Sequence, residues 1–211
     1  SIRELANASK KYANLEIFDV VDKKLTGSMV GAIFMRKFSI VAKECLGLNP
    51  SPTGYPDLVP AEYLEKIPEN VNWDQFPYGG VEVKTSCGDL PTGVTRELTN
   101  RESRIKHLQN LVWKGHHTEI NNLLGLYWDY YERSPTIMAA FYSNELEGSD
   151  FTNTVPKPGG GHTTSVCITK ASARYKMAKN WIFCADLPEY ISFFKKRFKI
   201  DTKSSQKKLF K

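Results

Sequence analysis

Apolar side chains recur at helical spacing in two segments of the N-terminal part of the chain. Residues 1–26 mix apolar and charged positions, which predicts a helical N-terminal segment with a break over residues 19–27. Ser28 is the candidate N-cap of a second helix that runs to about Leu46 and stops at Gly47. The apolar stripe of this second helix comprises Val30, Ile33, Phe34, Phe38, Val41, Ala42 and Cys45. We therefore expect one face of this helix to pack on a core.

Shorter apolar runs bounded by turn residues predict strands farther along the chain. The segments 121–131 and 136–142 are dense in apolar residues, which favours two central strands joined by a turn at residues 133–135. The remaining predicted elements are a short helix at 61–66, a strand at 166–169, a basic helix at 170–180 and a strand at 181–185. With 211 residues, of which 41% are hydrophobic, the chain can bury one sizeable core. We expect one α/β domain over residues 1–211, with a helical N-terminal segment and a basic C-terminal tail.

The polar residues that stand out are two carboxylates and a lysine that the strand pattern brings together. Because side chains alternate between the two faces of a strand, Glu82 and Lys84 share one face while Val83 packs behind them. Asp57 follows a Gly-Tyr-Pro turn and precedes the apolar Leu58, so we expect it at the start of a neighbouring strand. The two carboxylates and the lysine, called the trio below, should therefore converge.

The trio has two interpretations. Carboxylate oxygens are hard ligands that suit Mg²⁺, and a lysine beside that metal can orient or deprotonate an attacking water or stabilise charge on phosphorus. The same residue types are also typical of a solvated strand face with a cross-strand ion pair. The glycines at 79–80 directly before the strand and the polar pair at 85–86 directly after it indicate a strand that opens onto a cleft, which favours catalysis.

Pro56-Asp57 followed by Glu82-Val83-Lys84 resembles the signature of the PD-(D/E)XK nuclease superfamily. The size and layout of the chain look most like a type II restriction endonuclease, and the resemblance covers the region from about residue 28 to about residue 145. It implies an α/β fold with a central mixed β-sheet flanked by helices, which is the restriction-endonuclease-like core.

The resemblance also implies roles for individual residues. Asp57, Glu82 and Val83 would be metal ligands, and Lys84 would orient the attacking water. Many members add an acidic residue from the preceding helix, and Glu44 is the position that could match it. The implied cofactor is Mg²⁺.

The function that follows from this resemblance is sequence-specific, Mg²⁺-dependent cleavage of double-stranded DNA. Since the chain carries one trio and duplex cleavage needs two cuts, a two-fold homodimer on a palindromic site is the economical arrangement. Two other classes stay open. One is a structure-specific nuclease of repair or recombination, and the other is a non-catalytic DNA-binding protein in which the trio is a surface ion-pair cluster.

Positive charge is concentrated at the C-terminal end of the chain. The net charge is +6 and the pI is about 9.0, which fits a polyanionic partner. Eight of the basic residues lie within 195–211, against Asp201 as the one acidic residue there, so the rest of the chain is close to neutral. This tail is either a solvated chain end or a source of sequence-independent contacts to phosphate.

Candidate residues for reading the DNA lie apart from the trio, because contacts to phosphate carry no sequence information. We expect groove contacts from the loop at 157–165 and from the helix at 170–180, and phosphate contacts near residues 114–117. The candidates are Lys157, His162, Thr163, Thr164 and Arg174 for the groove, and Lys114 and His117 for phosphate. The alternatives are an ordinary surface loop for the first set and a structural role for the second.

Composition also bears on location and on the cysteines. Since no segment reaches the apolar length of a membrane span and the N-terminus lacks a signal-peptide pattern, we expect a soluble, intracellular protein with no membrane partner. The resemblance to restriction endonucleases implies the cytoplasm of a prokaryotic cell. The cysteines are scattered, so buried free thiols are expected rather than a zinc site or a disulfide framework. They are Cys45, Cys87, Cys167 and Cys184.

Overall fold

The computed structural model describes residues 2–67, 69–115, 121–152 and 167–199, and of residues 167 and 168 it describes the backbone alone. The α-helices in these ranges are α1 (Ile2–Ala13), α2 (Ile17–Val20), α3 (Lys23–Val41), α4 (Ala61–Glu65), α5 (Val94–Glu97), α6 (Ala171–Lys179) and α7 (Pro188–Phe198). The strands are β1 (Leu46–Leu48), β2 (Leu58–Pro60), β3 (Glu82–Ser86), β4 (Lys114–Gly115), β5 (Leu123–Tyr131), β6 (Ser134–Ser143), β7 (Cys167–Ile168) and β8 (Trp181–Cys184).

A mixed four-stranded sheet in the order β3-β5-β6-β8 forms the centre of the fold. Strand β3 pairs in parallel with β5, while the β5–β6 and β6–β8 pairs are antiparallel. Two smaller antiparallel sheets pair β1 with β2 and β4 with β7. The expected α/β fold with a central mixed sheet and flanking helices is therefore confirmed, and β3, which carries two members of the trio, lies at an edge of the described sheet.

Helices cover both faces of the central sheet because β5 is apolar on both sides. On one face, Leu124 packs in a cluster with Phe34 of α3. On the other face, the ring of Tyr127 contacts the ring of Phe194 in α7, with centroids 5.7 Å apart, and Met177 of α6 joins the same cluster. The strand that pairs with β3 is thus held rigidly between two apolar layers.

Helix α3 begins and ends earlier than the apolar stripe predicts. The carboxylate of Asp22 caps its N-terminus by accepting a hydrogen bond from the Leu25 N–H at 2.8 Å. The predicted N-cap at Ser28 is therefore wrong, because a cap six residues upstream of Ser28 extends the helix to Lys23. The predicted break over residues 19–27 is reduced to residues 21–22, between α2 and α3. The C-terminal end is also corrected, since residues 46–48 form β1 instead of a last helical turn.

The hairpin between β5 and β6 turns at Glu132 and Arg133, which both have positive φ angles of 48° and 63°. Two positive φ angles match the twist of a two-residue hairpin turn. Ser134 and Pro135 already belong to β6, so the turn predicted at 133–135 lies too far along the chain.

The other predicted elements are found close to their expected positions. Helices α4 and α6 and strands β7 and β8 confirm the predictions for residues 61–66, 170–180, 166–169 and 181–185. Helix α7 is not predicted by the sequence pattern. Its Tyr190 and Phe194 are buried, so residues 195–198 of the expected basic tail belong to a packed helix, and residues 200–211 lie outside the described residues.

The described cysteines differ in exposure. Cys87 and Cys184 are half-buried and Cys45 is exposed, and all three are free thiols. The expectation of a buried thiol is therefore wrong for Cys45, while the side chain of Cys167 lies outside the description.

None of the helices in the described residues is both long enough and apolar enough to cross a membrane.

Candidate functional site

The trio is assembled by a backbone contact between β2 and the residue before β3. The Leu58 N–H donates to the Val81 carbonyl at 3.0 Å, and the Val81 N–H donates to the Leu58 carbonyl at 2.8 Å. Gly80 permits this approach, since its φ is +132° and a Cβ at that position would collide with the Leu58 carbonyl oxygen. Asp57, directly before Leu58, is thereby placed beside Glu82, directly after Val81.

Hydrogen bonds from backbone and side-chain donors, together with an ion pair, join the three residues. The Asp57 N–H donates to Oε2 of Glu82 at 3.1 Å, and the Val83 N–H donates to Oδ2 of Asp57 at 2.8 Å. The Lys84 ammonium donates to the same Asp57 oxygen at 3.3 Å and forms an ion pair with Oε1 of Glu82. The structure thus brings the whole trio together at the edge of the sheet, with one ammonium lying against two carboxylates.

The trio is largely removed from water, and this changes its protonation. The side chain of Glu82 is 5% exposed, against 23% for Asp57 and 20% for Lys84. Burial raises the pKa of Glu82 to about 7, although the Lys84 charge opposes the rise. Burial alone would lower the pKa of Lys84, but the charges of Glu82 and Asp57 outweigh it, and the pKa of Lys84 is raised. Near neutral pH, Lys84 is therefore charged, while Glu82 is present in both its protonated and its ionised form.

The raised pKa of Glu82 predicts how the stability of the metal-free protein depends on pH. The pKa is about 7 in the folded protein against an ordinary 4.5, so protonated Glu82 favours the folded state. This contribution is complete below pH 4.5 and is lost as the pH rises through about 7. Across that window, Glu82→Gln should gain on the order of 3 kcal/mol in free energy of unfolding relative to the wild type. Urea unfolding in EDTA at a series of pH values measures the gain.

Glu65→Gln is the matched control for this experiment, because it removes a carboxylate from an exposed position on α4. Subtracting its pH profile corrects for the loss of one negative charge from the protein as a whole. Identical pH profiles for Glu82→Gln and the wild type would contradict the shifted pKa of Glu82.

Val83, the third ligand that the resemblance implies, can offer only its backbone carbonyl. The Glu82 N–H donates to the Asn122 carbonyl next to β5 at 3.0 Å. Because successive backbone groups of a strand point to opposite sides, the N–H and C=O of Val83 point away from β5. The bond from the Val83 N–H to Asp57 has the same direction. The Val83 carbonyl therefore lies on the edge of β3 that faces Asp57.

These oxygen donors fit a hard cation that keeps part of its water shell. Two carboxylates and one carbonyl leave coordination positions for water and for phosphate oxygens, which is the way proteins bind Mg²⁺. Within the described ranges, no group of three or more His, Cys, Asp or Glu side chains is arranged to hold a metal ion. With two carboxylates and one carbonyl, the trio offers the kind of partial oxygen donor set that Mg²⁺ shares with a substrate.

Glu44 lies apart from these contacts. It is exposed in the turn between α3 and β1. In the described part of the chain, the hydrogen bonds and ion pairs of the trio do not include Glu44. Its catalytic role stays a prediction.

A cavity lies next to each end of β3. One, of about 430 Å³, is lined by neighbours of the two carboxylates. These neighbours include Pro56, Gly80, Asn121 and Asn122. The other cavity, of about 330 Å³, is lined by residues 85–88, which follow Lys84, and by three lysines. Chain neighbours of the trio therefore line a cavity at each end of β3.

The three lysines of the second cavity are Lys23, Lys24 and Lys114. Lys114 was predicted to contact phosphate, and the structure places it beside two lysines at the N-terminal end of α3. The sequence pattern does not single out Lys23 and Lys24, because it predicts a break in this segment. The signal was the carboxylate of Asp22 directly before them, which caps the helix.

Arg174, the predicted groove contact on α6, lines a third cavity that shares no described lining residue with the other two. The remaining candidates lie outside the described residues. They are Lys157, His162, Thr163, Thr164 and His117.

Comparisons with known proteins give no family for this chain. No family model matches the sequence, and neither the curated proteins nor the solved structures include a significant match. We therefore infer function from the geometry of the trio and its surroundings.

Proposed function

We propose that this protein is a Mg²⁺-dependent endonuclease with a restriction-endonuclease-like core, which cuts double-stranded DNA at a specific sequence as type II restriction enzymes do. The observation that carries the proposal is the convergence of Asp57, Glu82 and Lys84 at an edge strand, joined by direct hydrogen bonds and an ion pair. As an enzyme acting on intracellular DNA, it would work in the cytoplasm.

Each member of the trio has a distinct role in this proposal. Asp57, Glu82 and the Val83 carbonyl would hold Mg²⁺, which supplies charge stabilisation at a phosphoryl oxygen and a more acidic bound water. Lys84 is charged and is held in place by both carboxylates. It orients the attacking water by a hydrogen bond and stabilises the negative charge that develops on the phosphate.

The burial of Glu82 supports a catalytic role over a surface ion-pair cluster. Surface ion pairs are solvated on both sides, whereas the Glu82 side chain is 5% exposed. A buried carboxylate with a pKa near 7 costs stability above neutral pH. Strongly shifted pKa values of this kind cluster at functional sites, where the cost is offset by activity.

The surroundings of the trio fit a nucleic-acid strand. The cavity beyond Lys84 is lined by three lysines and one acidic residue, Asp89, and this net positive charge suits the phosphates that flank a cut. Base readout would come from other elements, and the candidates are the loop at 157–165 and helix α6. Because one chain has one trio, we propose a homodimer that places two trios on the two DNA strands.

Supercoiled plasmid DNA provides the test. With Mg²⁺ the protein should convert plasmids that carry the target site into discrete linear fragments, and EDTA should prevent this because the carboxylates then lack their metal. Agarose electrophoresis reads the products, and light scattering of the free protein should give the mass of a dimer.

Other outcomes would identify the other classes. Cutting restricted to branched DNA would indicate a structure-specific nuclease, and DNA binding without any cutting would indicate a non-catalytic DNA-binding protein. A stable monomer that only nicks its cognate duplex would contradict the homodimer.

A further inference from the structure

A cavity of about 280 Å³ between α6, residues 109–111 and the C-terminal end of α7 collects three cationic side chains. Arg174 is half-buried in the middle of α6, and Arg197 and Lys199 are exposed at the end of α7. None of the described residues that line this cavity is acidic. We call it the α6–α7 cavity.

The charges of this cavity lack carboxylate partners in the described part of the chain. Lys176, on the same helix as Arg174, pairs with Asp150 at 2.7 Å, whereas Arg174 has no carboxylate partner among the described residues. The dipole of α7 favours Arg197 and Lys199 at its C-terminal end. It does not account for Arg174, which belongs to another helix. Three like charges around one cavity with no acid favour a bound anion.

An aromatic ring lies beside these cations. Tyr175 also lines the α6–α7 cavity, and it is 71% exposed. Gln109 and Asn110, which carry side-chain amides, also line this cavity. A cationic groove with an accessible aromatic ring is the combination that sites for single-stranded nucleic acid use, because phosphates contact the cations while an unpaired base stacks on the ring.

We propose that the α6–α7 cavity binds a single nucleic-acid strand, with Arg174, Arg197 and Lys199 on its phosphates and Tyr175 on a base. The site does not involve the trio and goes beyond the proposed cleavage function. It also gives Arg174 a different role from the one that the sequence pattern predicted, since a residue that contacts phosphate does not read purine edges.

Fluorescence anisotropy with a labelled single-stranded oligonucleotide of about ten nucleotides tests the proposal. The full chain is used, and EDTA is present so that cleavage plays no part. The triple variant Arg174→Ala/Arg197→Ala/Lys199→Ala should bind at least about a hundredfold more weakly than the wild type. The slope of log affinity against log salt should fall by about 2, because three phosphate contacts are lost.

Lys179→Ala/Lys195→Ala/Lys196→Ala is the matched control, because it removes the same charge from exposed positions on α6 and α7 that do not line the cavity. Its affinity should stay within about tenfold of the wild type, since it loses only the long-range electrostatic attraction between the protein and the strand. Tyr175→Ala should weaken binding by about tenfold without changing the salt slope, and Tyr175→Phe should restore it. Circular dichroism confirms that each variant is folded.

Three results would overturn the proposal. Equal losses in the two triple variants would show that general charge is responsible. Competition by inorganic phosphate at the same phosphate concentration as the oligonucleotide would indicate a small-anion site. An equal loss for a duplex of the same sequence would indicate binding to a duplex backbone. Each binding measurement is made without Mg²⁺-dependent cleavage. If the trio proved not to cleave DNA, the binding results for the α6–α7 cavity would still stand. If the α6–α7 cavity proved not to bind a single strand, the cleavage proposal would likewise be unaffected.

Discussion

Replacing Lys84 by Ala should reduce the rate of Mg²⁺-dependent DNA cleavage by at least about a hundredfold, which is the usual effect of removing one charged or hydrogen-bonding group that acts on the transition state. The ammonium lies against both carboxylates and is 20% exposed, so solvent cannot easily substitute for it. Affinity for DNA should be largely unchanged, since Lys84 contributes one contact among many. Single-turnover cleavage assays and anisotropy in EDTA measure the two quantities.

The control is Lys66→Ala, which removes an exposed lysine at the end of α4. Asp57→Asn and Glu82→Gln should lose cleavage to a similar extent, because each keeps the shape of the side chain but lacks the charge that holds a divalent cation. A Lys84→Ala protein that cleaves DNA at the wild-type rate would remove the basis of the proposed function.

Two members of the trio could be predicted from the sequence, because their spacing matches the alternation of side chains along a strand. The two-residue period of a strand puts Glu82 and Lys84 on one face, and strand β3 has that register in the structure. Their contact with Asp57 could not be predicted from the spacing alone. It depends on the bridge between Leu58 and Val81, which the sequence indicates only through a glycine next to an apolar strand.

Other features depend on contacts between distant segments and left weak local signals. The turn of the β5–β6 hairpin has positive φ angles at a glutamate and an arginine. Neither residue type is typical of such turns, which favour Asn, Asp and Gly. The sequence of helix α7 is rich in basic residues. Its core-facing side is identified only in the structure, where Tyr190 and Phe194 pack with residues of the central sheet. Local patterns thus predicted the type of most longer elements, with α7 as an exception, while tertiary packing set their ends.

A buried aspartate illustrates what the sequence did not reveal at all. Asp129 of β5 has no exposed surface, and its carboxylate accepts hydrogen bonds from five donor groups on three parts of the chain. Burial raises its pKa, while the hydrogen bonds from these donors oppose the rise. The donors are the hydroxyls of Ser103, Tyr127 and Tyr190 and the backbone N–H groups of Arg104 and Tyr130. One carboxylate therefore ties α7 and the segment near residue 103 to the central sheet.

Asp129→Ala should lower the free energy of unfolding by about 4 kcal/mol, because several buried donors lose their acceptor at once and each unsatisfied donor carries a desolvation penalty. The Tyr190 hydroxyl, 3.0 Å from the carboxylate, would lose its bond from α7 to the sheet. Urea unfolding followed by tryptophan fluorescence measures the change, with Trp113 and Trp128 buried in the folded protein.

Tyr190→Phe measures the contribution of one of the five hydrogen bonds to Asp129. It deletes one donor and keeps the ring that packs beside Tyr127. It should cost about 1 kcal/mol, the net contribution of one hydrogen bond. Asp129→Asn should fall between the two variants, since the amide keeps one acceptor oxygen and replaces the other by a donor that faces donors. If Asp129→Ala were as stable as Tyr190→Phe, the donors would have found other acceptors, and the carboxylate would not be the group that fastens α7 to the sheet.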